Sequence, residues 1–426
     1  MHPRISPGCG QGAELVSPSS KTVFDGLKVL DLTRVVSGPW ATQIMADQGA
    51  IVYKIEEPGI GDMTRRLPPL VKDDRGADIQ GLSAFFLGVN RGKQSLQVDL
   101  QHEKGADLVR RLAQQCDVVI ENFKAGGLTK FGLDYESVRV ANPDVVYCSI
   151  SGFGVDGPYV ARPAYDFVLQ GMAGLMSTCG HPDGVPGAAP MRTAVPITDI
   201  LTGFYAAYGV ASALFHRQRT GEGQFIDIGM LDASVAVNAH LALEYLMTAR
   251  APTRVGNTNP VGAPSDVFEC TDGYLIIAVG SDTQFSALCG VLDRPHWSSD
   301  PRWTTAVRRV VHREPLRAAI AELVRSGPRA EWIEQFNAAN VPCGPVNTLE
   351  EVFEDAQVRH RELAMSLLHP SGVNVPTLRN PIRFSRTPIE HRAPPTPGEH
   401  SALILSKELG MAPAEITSLL ALGVIQ

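Results

Sequence analysis

GLKVLDLTRVVSGPWATQIMADQGAIVYKIE, residues 26–56, decides the fold. Residues 27–32 are a short apolar run of the kind that makes a buried strand, residues 37–50 read as the helix that follows, and IVYKIE reads as a second strand. Strand, short turn, helix and strand within about thirty residues make a βαβ unit, which implies parallel pairing and a right-handed crossover. The pattern recurs. QSLQVDL (94–100) reads as a strand, HEKGADLVRRLAQQC (102–116) as a helix, DVVIENF (117–123) as a strand, and PDVVYCSISGFG (143–154) as a strand running into a glycine-rich loop. Such alternation predicts an α/β fold with a doubly wound parallel sheet, whose ligands bind beyond the carboxyl ends of its strands.

Composition sets the class of partner. The 426 residues are 44% hydrophobic and 19% charged, material for two or three domains or one with a large insertion. A net charge of −7 gives no whole-chain basic field, so neither nucleic acid nor an anionic membrane is expected as a partner, and any anionic ligand must be held locally. The seven cysteines are widely spaced and contain no C-x-x-C pair, which argues against a disulfide scaffold and a structural metal site and fits a reducing cytoplasm. The first 23 residues lack an apolar signal core and read as a loose leader, and no run of 18 apolar residues offers a membrane span.

Beyond the glycine-rich loop the pattern changes. TDILTGFYAAYGVASALFHR (198–217) has the small-residue density of a closely packed helix, and RQRTGEGQFIDIGMLDASVA (217–236) continues as turn, strand and helix. From about residue 253 two strands joined by Asp272-Gly273 and the helices QFSALCGVL and REPLRAAIAELVRS suggest a smaller α+β unit. The domain boundaries expected are a leader at 1–23, a large α/β domain at 24–225, a small α+β domain at 226–330, and a C-terminal part at 331–426 that returns to the large domain.

One carboxylate stands out. In SISGFGVDGPYVARPAYDFVLQGMAGLMS (149–177), Asp166 follows a loop carrying Gly152, Gly154 and Gly157 and precedes an apolar, helix-like run. By itself such an aspartate is most often an N-cap or a surface residue. The glycine-rich approach also suits a nucleophile, because bare backbone N–H groups can come close to an anion. GFGVDG matches the dinucleotide fingerprint only in spacing, and the turn at 34–39 lacks it.

Eight ordered stretches carry a family resemblance: GLKVLDLTRVVSGPWAT, VYKIEEPGIGDMTR, NRGKQSLQVDL, DVVIENFKAGGLTKFGLDY, YCSISGFGVDGPYVARPAYD, RTGEGQFIDIGMLD, VPCGPV and GEHSALIL. Together they resemble the class III CoA-transferases over nearly the whole chain. The resemblance implies a Rossmann-like large domain built from both chain ends, a small inserted domain, and a homodimer of two interlocked chains. It implies coenzyme A or an acyl-CoA as substrate with a carboxylic acid acceptor, and no metal. It places Asp166 at the nucleophile that forms an aspartyl-CoA thioester. Val36 and Ser37 fall at the turn lining the CoA site, Val98, Asp99, Leu100 and Gln101 beside the adenine, Asn122, Phe123 and Lys124 along the nucleotide, and Lys130 at the CoA phosphate. Gly152 and Gly154 are the candidate oxyanion donors.

The departures narrow the reaction. Glu57 stands where some formyl-CoA transferases carry an arginine for CoA, so Arg65 or Arg91 would have to supply that charge, and Ser151 replaces a basic residue of some relatives. Alpha-methylacyl-CoA racemases share the scaffold but have a histidine where this chain has Tyr165, together with an acid matching Asp199. Tyrosine is a poor base at neutral pH, which favours transfer over racemisation and leaves Asp199 as a structural or capping carboxylate. A non-catalytic CoA-binding protein is the third reading. The middle of the chain most resembles dicarboxylate members such as the succinyl-CoA:glutarate transferases, whose acceptor's far carboxylate would want an arginine fork from Arg65, Arg192 or Arg254.

Overall fold

The computed structural model describes residues 22–426; the expected leader at 1–23 lies almost wholly outside them. The described residues divide into two compact units, residues 22–175, 192–248 and 357–426, and residues 176–191 and 249–356.

The first unit is built on six strands: β1 (Lys28–Asp31), β2 (Ile51–Glu56), β3 (Gln94–Gln97), β4 (Val118–Glu121), β5 (Val146–Ser151) and β6 (Gln224–Gly229). Their order is β3-β2-β1-β4-β5-β6, and every pairing is parallel. That is the doubly wound Rossmann-like sheet expected from the alternation, and its direction of winding reverses between β1 and β4. The six helices that matter most here are α1 (Ser37–Asp47), α2 (Glu103–Ala113), α3 (Asp166–Met172), α4 (Ile197–Thr220), α5 (Met230–Val237) and α6 (Ala239–Thr248).

Alternate strand residues feed two separate cores, as the period of two requires. Val29, Val52, Val118 and Val146 point to one face and pack with Ala41 and Met45 of α1 and Ala206 and Val210 of α4. Leu30, Tyr53, Val119 and Tyr147 point to the other, against Leu108, Val109 and Leu112 of α2. The chain end covers that second face through α7 (Ser401–Leu409) and α8 (Pro413–Ala421), whose Ile404, Leu405, Ile416 and Leu419 complete the core. The C-terminal return to the large domain is thus a matter of apolar burial.

Helix α4 is long and apolar enough, by length and composition, to cross a membrane. It lies here along β5, β6 and α1. Its Gly203 lets it press on the start of α1, since a Cβ there would sit 2.6 Å from the Ser37 carbonyl oxygen and 2.9 Å from the Trp40 ring. That close approach brings the first turn of α4 to the first turn of α1.

The second unit has a three-stranded antiparallel sheet, β7 (Ser265–Cys270), β8 (Gly273–Ala278) and β9 (Cys343–Pro345), in the order β9-β8-β7. Gly273, at φ +142°, makes the hairpin that Asp272-Gly273 signalled. Helices Asp282–Val291, Arg313–Val324 and Arg329–Ala338 enclose a core of Phe268, Leu275, Phe285, Leu316, Ile320 and Phe336. This is an α+β unit, but its limits differ from 226–330. Strand β6 extends the large sheet and α5 packs on α4, which keeps 226–248 in the first unit, while the β8–β9 pairing draws the segment after 330 into the second.

Candidate active site

The turn after β1 lies where the sheet changes direction, and buried charge shapes it. Val35 is β-branched yet adopts φ +70°, a conformation that costs energy unless its surroundings impose it. Its N–H donates to Asp62 Oδ2 at 3.3 Å, and Lys54 Nζ donates to that same oxygen and to the Thr33 carbonyl, both at 3.0 Å. Below them Lys93 Nζ donates to Asp31 Oδ2, the Pro39 carbonyl and Asn90 Oδ1. Asp31, Lys54 and Lys93 are fully buried. Burial opposes ionisation of Asp31, but Lys93 and Lys54 outweigh it and hold its carboxyl at about 2. Burial brings Lys93 down to about 8 against the pull of Asp31.

From the other side Asn122, just past β4, clips the turn in both directions. Its Oδ1 accepts the Arg34 N–H at 2.8 Å and its Nδ2 donates to the Arg34 carbonyl at 2.7 Å, while the Arg34 guanidinium lies 4.3 Å from the centroid of the Phe123 ring. Val36, Ser37, Asn122 and Phe123 therefore gather at the switch point, where an α/β sheet binds its ligand. Lys124 lines a 240 Å³ cavity with Glu121, Tyr135, Tyr147, Ser149 and Phe225. Burial pushes the Glu121 carboxyl up to about 7, although the Ser149 hydroxyl and the Phe123 N–H donate to it.

The residues after β3 form a neighbouring group. Val98 is core and bridges Ile425, Leu100 packs against the same core, and Asp99 Oδ1 accepts the Gln101 N–H. Gln101 Oε1 in turn accepts from Lys130 Nζ at 3.4 Å, so the expected adenine and phosphate residues meet.

Asp166 opens α3 and is buried. As a carboxylate it can only accept, and every partner it has is a donor. Oδ1 takes the Thr198 N–H at 2.8 Å, the Thr198 hydroxyl at 2.6 Å and, at 3.4 Å, the Asp199 N–H. These are free first-turn amides of α4, whose own N-cap residue, Pro196, supplies no side-chain cap. Asp166 thus caps α4 from another helix. Its Oδ2 has one donor among the described residues, Gln170 Nε2 at 2.7 Å, and Gln170 Oε1 is itself held by the Thr193 N–H at 3.0 Å.

Asp199, the residue after Thr198 on α4, is half-buried near Ser37, at the start of α1. Burial raises the Asp199 carboxyl to about 7, the charge of Asp166 pushes the same way, and Ser37 pulls against both.

The two glycines expected as oxyanion donors also shape the loop. A Cβ on Gly152 would sit 2.3 Å from the Ala164 Cβ, and its carbonyl accepts the Leu231 N–H, so Gly152 lets the loop close on itself. Gly154, at φ +85°, turns the chain beside Asp227. Among the described residues, the groups that hydrogen-bond to the Asp166 carboxylate are Thr198, Asp199 and Gln170. Gln170 was detectable as the residue four after Asp166 on a helix; Thr198, 32 residues away, had no sequence signal. Ser151, at the carboxyl end of β5, has a buried hydroxyl with no hydrogen-bond partner among the described residues.

Neither Arg65 nor Arg91 has charge to spare for a phosphate. Arg65 forks onto both oxygens of Glu56 and lies over Phe86, and Arg91 forks onto Asp47 and also donates to Thr377 and the Leu378 carbonyl. Arg254, in the second unit, pairs with Asp183. Arg192 has no carboxylate partner among the described residues, and its guanidinium lies 5.0 Å from the centroid of Phe167, next to Asp166 in the chain.

Comparison with known proteins agrees with this arrangement. Residues 24–401 match the model of CoA-transferase family III. Succinate–glutarate CoA-transferase of Agrobacterium fabrum is 43% identical over 92% of this chain and 96% of its own, and succinyl-CoA:glutarate CoA-transferase of Mus musculus is 36% identical over 95% and 90%. The crystal structure of a CaiB/BaiF family protein from Brucella suis superposes with a TM-score of 0.81 at 42% identity, covering 91% of this chain and all of that one. The chain belongs to CoA-transferase family III, and is an enzyme whose substrates are a CoA thioester and a carboxylic acid.

Proposed function

We propose that the enzyme moves CoA from succinyl-CoA to a short dicarboxylic acid through a thioester on Asp166. The observation that carries this reading is the unequal holding of the two Asp166 oxygens. Oδ1 is tied to the first turn of α4, whereas among the described residues Oδ2 has only the Gln170 amide. Oδ2 is the attacking atom. It adds to the acyl carbon of the donor and expels CoA thiolate, leaving a mixed anhydride. The thiolate then attacks the Asp166 carbonyl carbon, releases the donor acid and forms the aspartyl thioester. The acceptor carboxylate reverses both steps, ending as the new acyl-CoA with Asp166 free.

Several residues support the binding of CoA: Val36 and Ser37 at the turn, Asn122, Phe123 and Lys124 after β4, Val98, Asp99, Leu100 and Gln101 after β3, and Lys130 for phosphate. Similarity to the two succinyl–glutarate enzymes supports the donor and the acceptor class. Arg192 is the fork for the far carboxylate, since Arg65 and Arg254 are already paired. The enzyme acts as a homodimer in the cytoplasm. Exposed Phe204, Tyr208 and Phe215 on α4 and Leu246 and Met247 on α6 favour a partner subunit, and the unpaired cysteines favour a reducing compartment.

The test is chemical trapping. Incubation with succinyl-CoA followed by hydroxylamine or borohydride and peptide mass spectrometry is expected to mark Asp166. An unmodified Asp166, together with full activity in Asp166→Ala, sinks the reading.

A further inference from the structure

The transfer passes through two kinds of tetrahedral adduct, one on the acyl carbon of a substrate and one on the carboxyl carbon, Cγ, of Asp166. The second kind puts its negative charge on an oxygen of Asp166 itself, and the donors around that side chain are unequally shared. Thr198 is fully buried, and its N–H and hydroxyl lie 2.8 and 2.6 Å from Oδ1, with the Asp199 N–H at 3.4 Å. Oδ2 meets one neutral donor among the described residues, the Gln170 amide. Two of the Oδ1 donors are backbone N–H groups in the first turn of a 24-residue helix, where the helix dipole favours negative charge. Fixed donors converging on one oxygen are what an oxyanion site consists of. We propose that the start of α4 is the oxyanion hole for attack at Cγ, with Thr198 a catalytic residue that holds Oδ1 through every step. The proposal rests on Asp166 being the nucleophile.

Once Oδ2 has bonded to the donor acyl carbon, Oδ1 is the neutral carbonyl oxygen of the mixed anhydride. The thiolate sulfur adds to Cγ and the carbonyl π pair moves onto Oδ1. Collapse restores the Cγ–Oδ1 double bond, breaks the Cγ–Oδ2 bond and releases Oδ2 in the donor's carboxylate. Sulfur then stands in place of Oδ2, and Oδ1 still faces Thr198. The acceptor carboxylate adds to Cγ next, Oδ1 takes the charge again, and the thiolate leaves. Attack of the thiolate on the acceptor acyl carbon breaks that carbon's bond to the bridging oxygen, which stays on Asp166 as its new Oδ2. Each turnover thus replaces Oδ2 and keeps Oδ1. In both attacks at Cγ the charge on Oδ1 grows from that of a neutral carbonyl to that of an oxyanion, so donors fixed there stabilise the transition state more than the ground state.

Hydroxylamine tests this, because it attacks Cγ of the aspartyl thioester and needs the binding site of neither acid. The thioester is formed on the full-length enzyme with succinyl-CoA and desalted. Its conversion to the Asp166 hydroxamate is then timed by mass spectrometry, in the native protein and after denaturation. The native wild-type thioester is expected to react at least about tenfold faster than the denatured one. Thr198→Val keeps the N–H and loses the hydroxyl, and is expected to slow the native reaction about tenfold to a hundredfold, with Thr198→Ser recovering most of the loss. All denatured thioesters are expected to react at one rate, which assigns the difference to the folded site. A native wild-type thioester no more reactive than the denatured one, or a native Thr198→Val thioester as reactive as the wild type's, overturns the oxyanion hole and leaves Asp166 as nucleophile. A wild type that never forms the thioester overturns both.

Discussion

Asp166 Oδ1 lies 2.8 Å from the backbone nitrogen of Thr198 and 2.6 Å from its hydroxyl. The candidate nucleophile is thereby fixed to a 24-residue helix that packs on the sheet, so its position is set by the core and not by the loop that precedes it. Asp199, the next residue, lies near Ser37 of α1, which adjoins the Val35 turn held by Asp62 and Lys54.

Replacing Thr198 by valine keeps the shape and the backbone N–H but removes the hydroxyl donor. The structure predicts a fall in kcat of about tenfold to a hundredfold, by the usual effect of one lost donor at a charged group. KM for the acyl-CoA should change less, because the hydroxyl contacts Asp166 and lies outside the turn assigned to CoA. Steady-state kinetics with succinyl-CoA checks this; an unchanged kcat contradicts it.

The large sheet is legible in the sequence because short strand-like runs alternate with helix-like segments, most plainly at α2, whose polar and apolar faces are distinct. Asp166 is legible because its glycines and prolines mark a constrained loop. The groups that hold it are not. Thr198 reaches it across 32 residues through the packing of α4, which Gly203 lets press on the start of α1. The arginines show the same limit, since only the fold reveals that Glu56 takes Arg65 and Asp47 takes Arg91. The edges of the small unit are hidden for a similar reason: the β8–β9 pairing joins Leu275 to Pro345, and nothing local announces it.

Lys54→Met tests the buried charge beneath the Val35 turn. Lys54 and Asp62 are both wholly buried, so removing the ammonium leaves Asp62 without its counter-charge. Such a break costs about 3–5 kcal/mol. Urea unfolding should show a lower midpoint by that amount, with KM for the acyl-CoA raised because the turn loses its support. A variant as stable as the wild type contradicts the account.

Glu121 gives stability a pH dependence of known sign. Its folded carboxyl keeps a proton up to about pH 7, whereas the ordinary value is 4.5. Between those values the unfolded chain binds fewer protons, so stability falls as pH rises, by on the order of 3 kcal/mol at most. Glu121→Gln cannot lose a proton and escapes this fall. Its Tm relative to the wild type should therefore improve by a few degrees from about pH 4.5 to about pH 8. A Tm difference that is constant with pH refutes it.

Arg192→Gln separates acceptor recognition from chemistry. A guanidinium fork on a carboxylate contributes about 1.5–3 kcal/mol, so its loss should raise KM for glutarate about tenfold to a hundredfold. Butyrate, which lacks the far carboxylate, should be used no worse than by the wild type. Thioester formation on Asp166 from a monocarboxylic acyl-CoA should also proceed at the wild-type rate, because Arg192 lies over Phe167 and makes no contact with the Asp166 carboxylate. Arg192→Lys keeps the charge but not the fork, and should recover only part of the glutarate affinity. Arg162, which lies over Tyr159 on the loop before Asp166, provides the control. If Arg162→Gln loses discrimination between glutarate and butyrate while Arg192→Gln keeps it, the fork belongs to that loop and not to the segment beside α3.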